Sequence, residues 1–216
     1  MTKEAFCRPV LCYEALPAYP LNEIKGEVLL LPTAAGLHSP LNTSYLLIAK
    51  SLAQIGFIVR IVEFPGQNGQ SGNYSVFGSC MGLLNYLEND APCRQWPLYL
   101  FGVCTGGIAA LFAATHIKRV KGVYAWEVCP NYEYSVKSYQ KLSDKFGVNV
   151  DWDTALTQVQ PSDLVRKVHQ PICFGMAEKS KCTNFEEQLQ LCSLSKTSYI
   201  MKLRGVGHVP GLHRGS

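Results

Sequence analysis

The stretch Pro97 to Ala114 carries no charged side chain, and at its centre stands Gly102-Val103-Cys104-Thr105-Gly106-Gly107. A thiol in that setting can attack a carbonyl. A nucleophile is most useful on a tight strand-to-helix turn, where the next backbone N–H and the helix N-terminus both favour developing negative charge. Such a turn brings backbone close to backbone, so small residues are needed two before and two after the nucleophile. Gly102 and Gly106 occupy those places around Cys104. The competing reading is an inert core cysteine, the usual state of a buried thiol.

The elements that would position this thiol are legible on either side of it. Leu98 to Val103 (LYLFGV) has the composition of a strand, and the alanine-rich run from Gly107 onward that of a helix. The uncharged segment approaches the roughly 20 apolar residues of a membrane span, but three glycines at its centre, with β-formers before and alanines after, favour strand, turn and helix. Further apolar runs recur at Glu27 to Leu31, Phe57 to Phe64, Val120 to Trp126, Ile172 to Gly175 and Ser198 to Leu203. They are short and apolar on both alternating faces, as parallel strands covered on two sides must be. Helical spacing runs between them at Asn42 to Ile55, ended by Gly56, at Val76 to Leu87, Ile108 to Thr115 and Asn184 to Cys192. The alternation predicts an α/β fold with a mostly parallel central sheet and helices on both faces.

At 216 residues and 47% hydrophobic composition the chain reads as a single domain, 1–216, able to fill one sizeable core. Residues 130–170, rich in aromatic, amide and charged side chains, break the rhythm and are compatible with a short helical lid. The net charge of +4 is scattered, which argues against a nucleic-acid footprint. Nine cysteines without a CxxC pair give no zinc or thioredoxin-like pattern. The first twenty residues lack a secretory signal's apolar core, so a reducing, cytoplasmic setting is expected. No Walker or dinucleotide glycine motif occurs, and the loop Gly66 to Gly72 lacks a P-loop lysine. Neither cofactor nor metal is expected.

With its glycine-flanked Cys104, the sequence resembles the α/β-hydrolase superfamily, in which most members carry serine at that place and some, dienelactone hydrolases among them, carry cysteine. The resemblance covers about residues 26 to 210. Val206-Gly207-His208 is similar to the family's histidine loop, and Phe174-Gly175-Met176-Ala177-Glu178 places Glu178 where the acid usually lies. Pro161-Ser162-Asp163-Leu164-Val165 is like the segment leading into the acid's strand. Glu63 to Ser71 is similar to the loop after the family's fourth strand, with one extra residue. Leu29 to Gly36 matches the strand and loop that donate an oxyanion N–H, with Pro32-Thr33 in place of the common His-Gly. Only eight residues follow His208, too few for the usual final helix.

The resemblance implies a triad of Cys104, His208 and Glu178, an oxyanion hole from the N–H groups of Thr105 and Ala34, and a small or absent cap. Glu127, after the strand ending at Trp126, is the alternative acid or a substrate contact, with Trp126 and Tyr132 as pocket lining. Tyr134, Tyr139 and Trp152 fit either a lid or ordinary core packing. His116 and His169 read as solvated or structural, His38 as a surface-loop residue that could instead face the cleft, and His213 as part of the tail Leu212 to Ser216; Gln67 and Asn68 read as cleft residues or a solvated loop. The activity implied is acyl transfer on an ester, lactone or thioester, as hydrolase or thioesterase, or as acyltransferase or cyclase, on a small acyl substrate that could be carrier-bound. Two alternatives remain open at this level: a hydrolase-like protein that binds a small molecule without turnover, and a serine hydrolase with cysteine in place of its serine.

Overall fold

The computed structural model describes residues 10–18, 20, 23–34, 42–67, 74–90, 95–128, 130, 150–151, 158–180 and 183–205. Seven strands form one sheet: β1 (Val10–Ala15), β2 (Gly26–Leu31), β3 (Phe57–Glu63), β5 (Leu98–Val103), β6 (Val120–Trp126), β8 (Ile172–Ala177) and β9 (Ser198–Leu203), in the order β1-β3-β2-β5-β6-β8-β9. All neighbours pair in parallel except β1, which runs antiparallel to β3. A second, two-residue parallel pairing joins β4 (Tyr74–Ser75) to β7 (Val150–Asp151). The segment 97–114 that could have been read as a membrane span is therefore a central strand and the helix after it. No helix among the described residues is long and apolar enough to cross a membrane.

Every side chain of β2 and β8 is buried, as strands covered on two faces require. Among the described residues the helices are α1 (Asn42–Gln54), α2 (Val76–Asn85, continued by a π-helical turn over Tyr86–Asp90), α3 (Thr105–His116), α4 (Pro161–Lys167) and α5 (Phe185–Ser193). The crossover from β2 to β3 moves one way along the sheet, and those from β3 to β5, β6, β8 and β9 move the other way. Right-handed crossovers therefore put α1 on one face and the other four on the opposite face. The contacts agree: α1 packs on β1 and β3, while α2 packs on α3, α3 on α4 and α4 on α5.

Start signals explain several helices. Ser75 caps α2 by accepting from the Gly78 amide at 3.0 Å. Asn184 and Glu187 form a reciprocal capping box on α5, with bonds of 2.8 and 3.1 Å. At the N-terminal ends of the strands, buried Arg60 pairs with Glu27 and, at 2.6 Å, with Glu14; Arg119 reaches Glu27 at 3.4 Å. The buried Arg60 and Glu27 of this cluster are thus each paired with an opposite charge. This cluster lies at the end of the parallel sheet remote from Cys104.

Candidate active site

In a parallel sheet all C-terminal strand ends share one edge, and ligands bind there, where successive crossovers diverge. Here the divergence lies between β2 and β5, whose crossovers leave in opposite directions. The segment ending at Ala34 follows β2, Cys104 follows β5, Glu127 follows β6 and Glu178 follows β8. The fold thus brings four separately predicted positions to a single sheet edge.

Cys104 joins β5 directly to α3 with φ 55° and ψ −112°. Among the described residues only Cys104 and Glu127, at φ 53°, are non-glycine residues with positive φ. Such geometry costs about 1–3 kcal/mol per residue and persists only where the surroundings over-determine it. For Cys104 the surroundings are specific. Its amide donates to the Trp126 carbonyl at 2.8 Å, and its own carbonyl accepts from Gly107 at 3.0 Å and Ile108 at 3.3 Å. The backbone is thereby tied to β6 on one side and to the first turn of α3 on the other.

The glycine spacing has the predicted cause. A Cβ on Gly102 would meet the backbone of Gly106 and the Cα of Gly107, and one on Gly106 would overlap the Leu31 carbonyl and lie 2.5 Å from the Pro32 carbonyl. The first turn of α3 is thus pressed against the segment leading to Ala34, bringing the Thr105 backbone close to that loop. Gly106→Ala should destabilise the protein by roughly 3 kcal/mol or more, because the overlapping atoms are backbone and cannot rotate away. Chemical denaturation followed by circular dichroism measures this.

The Ala34 loop is braced from below. Gln67, fully buried, donates from Nε2 to the Thr33 carbonyl at 2.6 Å and accepts the Phe64 amide at 2.7 Å. The Thr33 amide donates to the Tyr45 hydroxyl at 3.2 Å. Gln67 is therefore not a solvated loop residue, and its partner lies 34 positions away in sequence, beyond any local signal.

The two carboxylates behave differently. Glu127 is fully buried, and its oxygens accept from the Ala177 amide at 2.5 Å, from the Thr183 hydroxyl at 2.7 Å and from the Ser180 hydroxyl. It fixes the loop between β8 and α5. Glu178, inside that loop, is exposed; its amide donates to the Leu203 carbonyl at 2.9 Å and its Oε2 accepts from the Gly205 amide at 2.9 Å. Glu178 thereby grips the chain three residues before His208.

Trp126 has no exposed surface and stacks on Tyr124 with centroids 6.2 Å apart. Its ring lies where a Cβ on Gly175 would be, so position 175 has to be glycine, and β8 runs on through it to Ala177 in register with β9. His116 and His169 are exposed, His116 lying against Phe112 with ring centroids 4.6 Å apart. His208, Tyr132, His38, Asn68, Tyr134, Tyr139, Trp152 and His213 lie outside the described residues, as does most of the 130–170 lid segment. Cys80 and Cys173 are buried thiols, and burial pushes both their pKa values up. No local signal marks Gln67 as a brace or Ser180 and Thr183 as donors to Glu127. Among the described residues no group of three His, Cys, Asp or Glu side chains could hold a metal ion.

No protein-family model and no curated protein matches the chain. Solved structures do. Est1E from Butyrivibrio proteoclasticus is similar with a TM-score of 0.67 at 15% identity, covering 91% of this chain and 84% of that one. The alpha/beta hydrolase GrgF from Penicillium sp. sh18 gives a TM-score of 0.64 at 14% identity over 94% of this chain and 91% of its own. The thioesterase domain from the curacin biosynthetic pathway gives 0.61 at 14% identity, over 85% and 86%. At these identities the likeness is one of fold, and the fold is that of α/β-hydrolases.

Proposed function

We propose that the chain is an acyl-transferring enzyme that works through Cys104, His208 and Glu178 on an ester, lactone or thioester. The observation that carries the reading is the Cys104 backbone, held at positive φ between β5 and α3 by the close approach of Gly102 and Gly106. A buried cysteine of the ordinary packing kind needs no such conformation. An esterase domain and a thioesterase domain among the similar solved structures, though distant, agree with it.

In this reading His208 takes the Cys104 proton and the thiolate attacks the substrate carbonyl. The tetrahedral oxyanion is received by the Thr105 and Ala34 amides, each such donor contributing roughly 3–4 kcal/mol in other enzymes. Collapse expels the leaving group, which takes the proton from His208 and leaves a thiol ester on Cys104. Water or an amine activated by His208 then attacks the thiol ester and restores the thiol. Glu178 orients the imidazole and stabilises its positive charge. Glu127, whose oxygens are engaged by the β8–α5 loop, holds Glu178 in place and acts as its scaffold.

A thiol ester reacts more readily with amines than an oxygen ester does, which widens the outcome from hydrolysis to transfer or cyclisation, on free or carrier-bound acyl groups. The test is a pre-steady-state assay with chromogenic aryl esters, lactones and thioesters, with and without an amine acceptor. The reading predicts a burst of leaving group equal to the enzyme concentration, then slower turnover. Absence of both burst and turnover on all three classes would refute it.

A further inference from the structure

An amide N–H can receive an oxyanion only if its peptide unit faces the nucleophile, and for Ala34 that direction is set by a glutamine on another strand's loop. Gln67 follows β3, Ala34 follows β2 and Cys104 follows β5, and these strands lie in the order β3-β2-β5. Gln67 and Cys104 therefore flank the Ala34 segment from opposite sides. The fully buried Gln67 side chain meets a donor at one end and an acceptor at the other: Oε1 accepts from the Phe64 amide at 2.7 Å, and Nε2 donates to the Thr33 carbonyl at 2.6 Å. Only one orientation of its amide satisfies both partners. Its backbone N–H also donates to the Phe64 carbonyl at 3.0 Å, which fastens the residue to the end of β3.

The Thr33 carbonyl belongs to the same peptide unit as the Ala34 N–H. In a trans peptide these two groups point in opposite directions, and among the described residues no peptide bond is cis. A bond that draws the carbonyl toward the β3 side thus turns the N–H toward the β5 side, where Cys104 stands. The unit before it is held as well, since the Thr33 amide donates to the buried Tyr45 hydroxyl at 3.2 Å and Pro32 fixes its own φ. Turned over, the Thr33–Ala34 unit would offer a carbonyl oxygen to developing negative charge and leave Gln67 Nε2 buried without an acceptor. We infer that Gln67 is a positioning residue, which sets the Ala34 N–H toward the oxyanion by holding the Thr33 carbonyl from behind.

This role rests on the acyl-transfer reading, and the test separates the two. Cys104 of the wild type and of Gln67→Met is acylated with an activated acyl thioester and, in parallel, alkylated with iodoacetamide, whose displacement of iodide by the thiolate passes through no oxyanion. Acylation of Gln67→Met should slow about 10²–10³-fold, as for the loss of one oxyanion donor, with alkylation within twofold of wild type. Gln67→Glu, which keeps the Phe64 bond, is the second variant and decides the matter should Gln67→Met not fold. Its carboxyl donates to Thr33 when protonated and cannot when ionised, so its ratio of acylation to alkylation should fall at least tenfold relative to wild type as pH rises from about 6 to about 9. Variants that slow both reactions equally, or neither, with no such fall in the ratio, overturn the role of Gln67 and leave the acyl-transfer reading standing. A wild type that is alkylated at Cys104 but never acylated refutes that reading, and the role with it.

Discussion

Cys104→Ala should fold as the wild type does and lose acyl-enzyme formation entirely, with turnover falling by at least about 10³-fold and towards the 10⁶-fold seen when other hydrolases lose their nucleophile. Alanine is the right probe because it removes only Sγ. The positive φ at position 104 is imposed by backbone bonds to Trp126, Gly107 and Ile108, none of which involves the side chain. The variant therefore carries the same strain and leaves the elbow in place. Residual catalysis from the Thr105 and Ala34 amides alone should be small but measurable. Steady-state rates on the best substrate, with circular dichroism as the folding control, check this. A variant that keeps full turnover would move the chemistry to another residue.

The second large effect separates the carboxylates. Glu127→Ala strands the Ala177 amide and the Ser180 and Thr183 hydroxyls in a buried site. At roughly 1–3 kcal/mol for each unsatisfied group, less what the hydroxyls recover by rotating, the loss should be about 3 kcal/mol or more. For a chain of this size that is roughly 6–12 °C in unfolding midpoint. Glu178→Ala should barely move the midpoint, because the side chain is exposed and among the described residues it bonds the Gly205 amide alone. Its cost should fall on catalysis, about 10⁴-fold in kcat, as when a triad acid is removed elsewhere. Thermal denaturation and kcat measured on both variants decide the matter. The reverse pattern, a stable Glu127→Ala that is inactive beside an active Glu178→Ala, would make Glu127 the acid.

Much of this arrangement was readable in the chain because its causes are local. Buried parallel strands must be apolar on both faces, so β2, β3, β5 and β6 stood out as runs. The elbow stood out because the backbone crowding at Gly102 and Gly106 excludes side chains. What escaped reading depends on distant partners. Strand β1 carries the exposed Tyr13 and Glu14, a pattern unlike the buried strands, and it joins the sheet as an antiparallel edge beside β3, where Glu14 meets the buried Arg60. Gly175 marked a strand end in the sequence, but it is glycine because the rings of Tyr124 and Trp126 fill the space of a side chain, and β8 continues past it because Met176 and Ala177 still pair with Lys202 and Leu203 of β9. Pro161 to Val165, read as the segment leading into β8, does precede that strand, and it forms most of a short helix, Pro161–Lys167, opened by proline at its first position. Glu127 could be read as a buried carboxylate in want of a partner, but its three donors lie in a loop that, in sequence, looks merely charged and solvated.

The central claim is that Cys104 carries the acyl group, and mapping the adduct tests it most directly. The protein is mixed with an activated thioester, quenched within the first turnover, and digested for peptide mass analysis of all nine cysteines. The account predicts one acyl group per chain, on Cys104, that disappears on longer incubation as the thiol is restored. An adduct spread over other cysteines with Cys104 reacting no faster than they do, or no adduct at all, would contradict it.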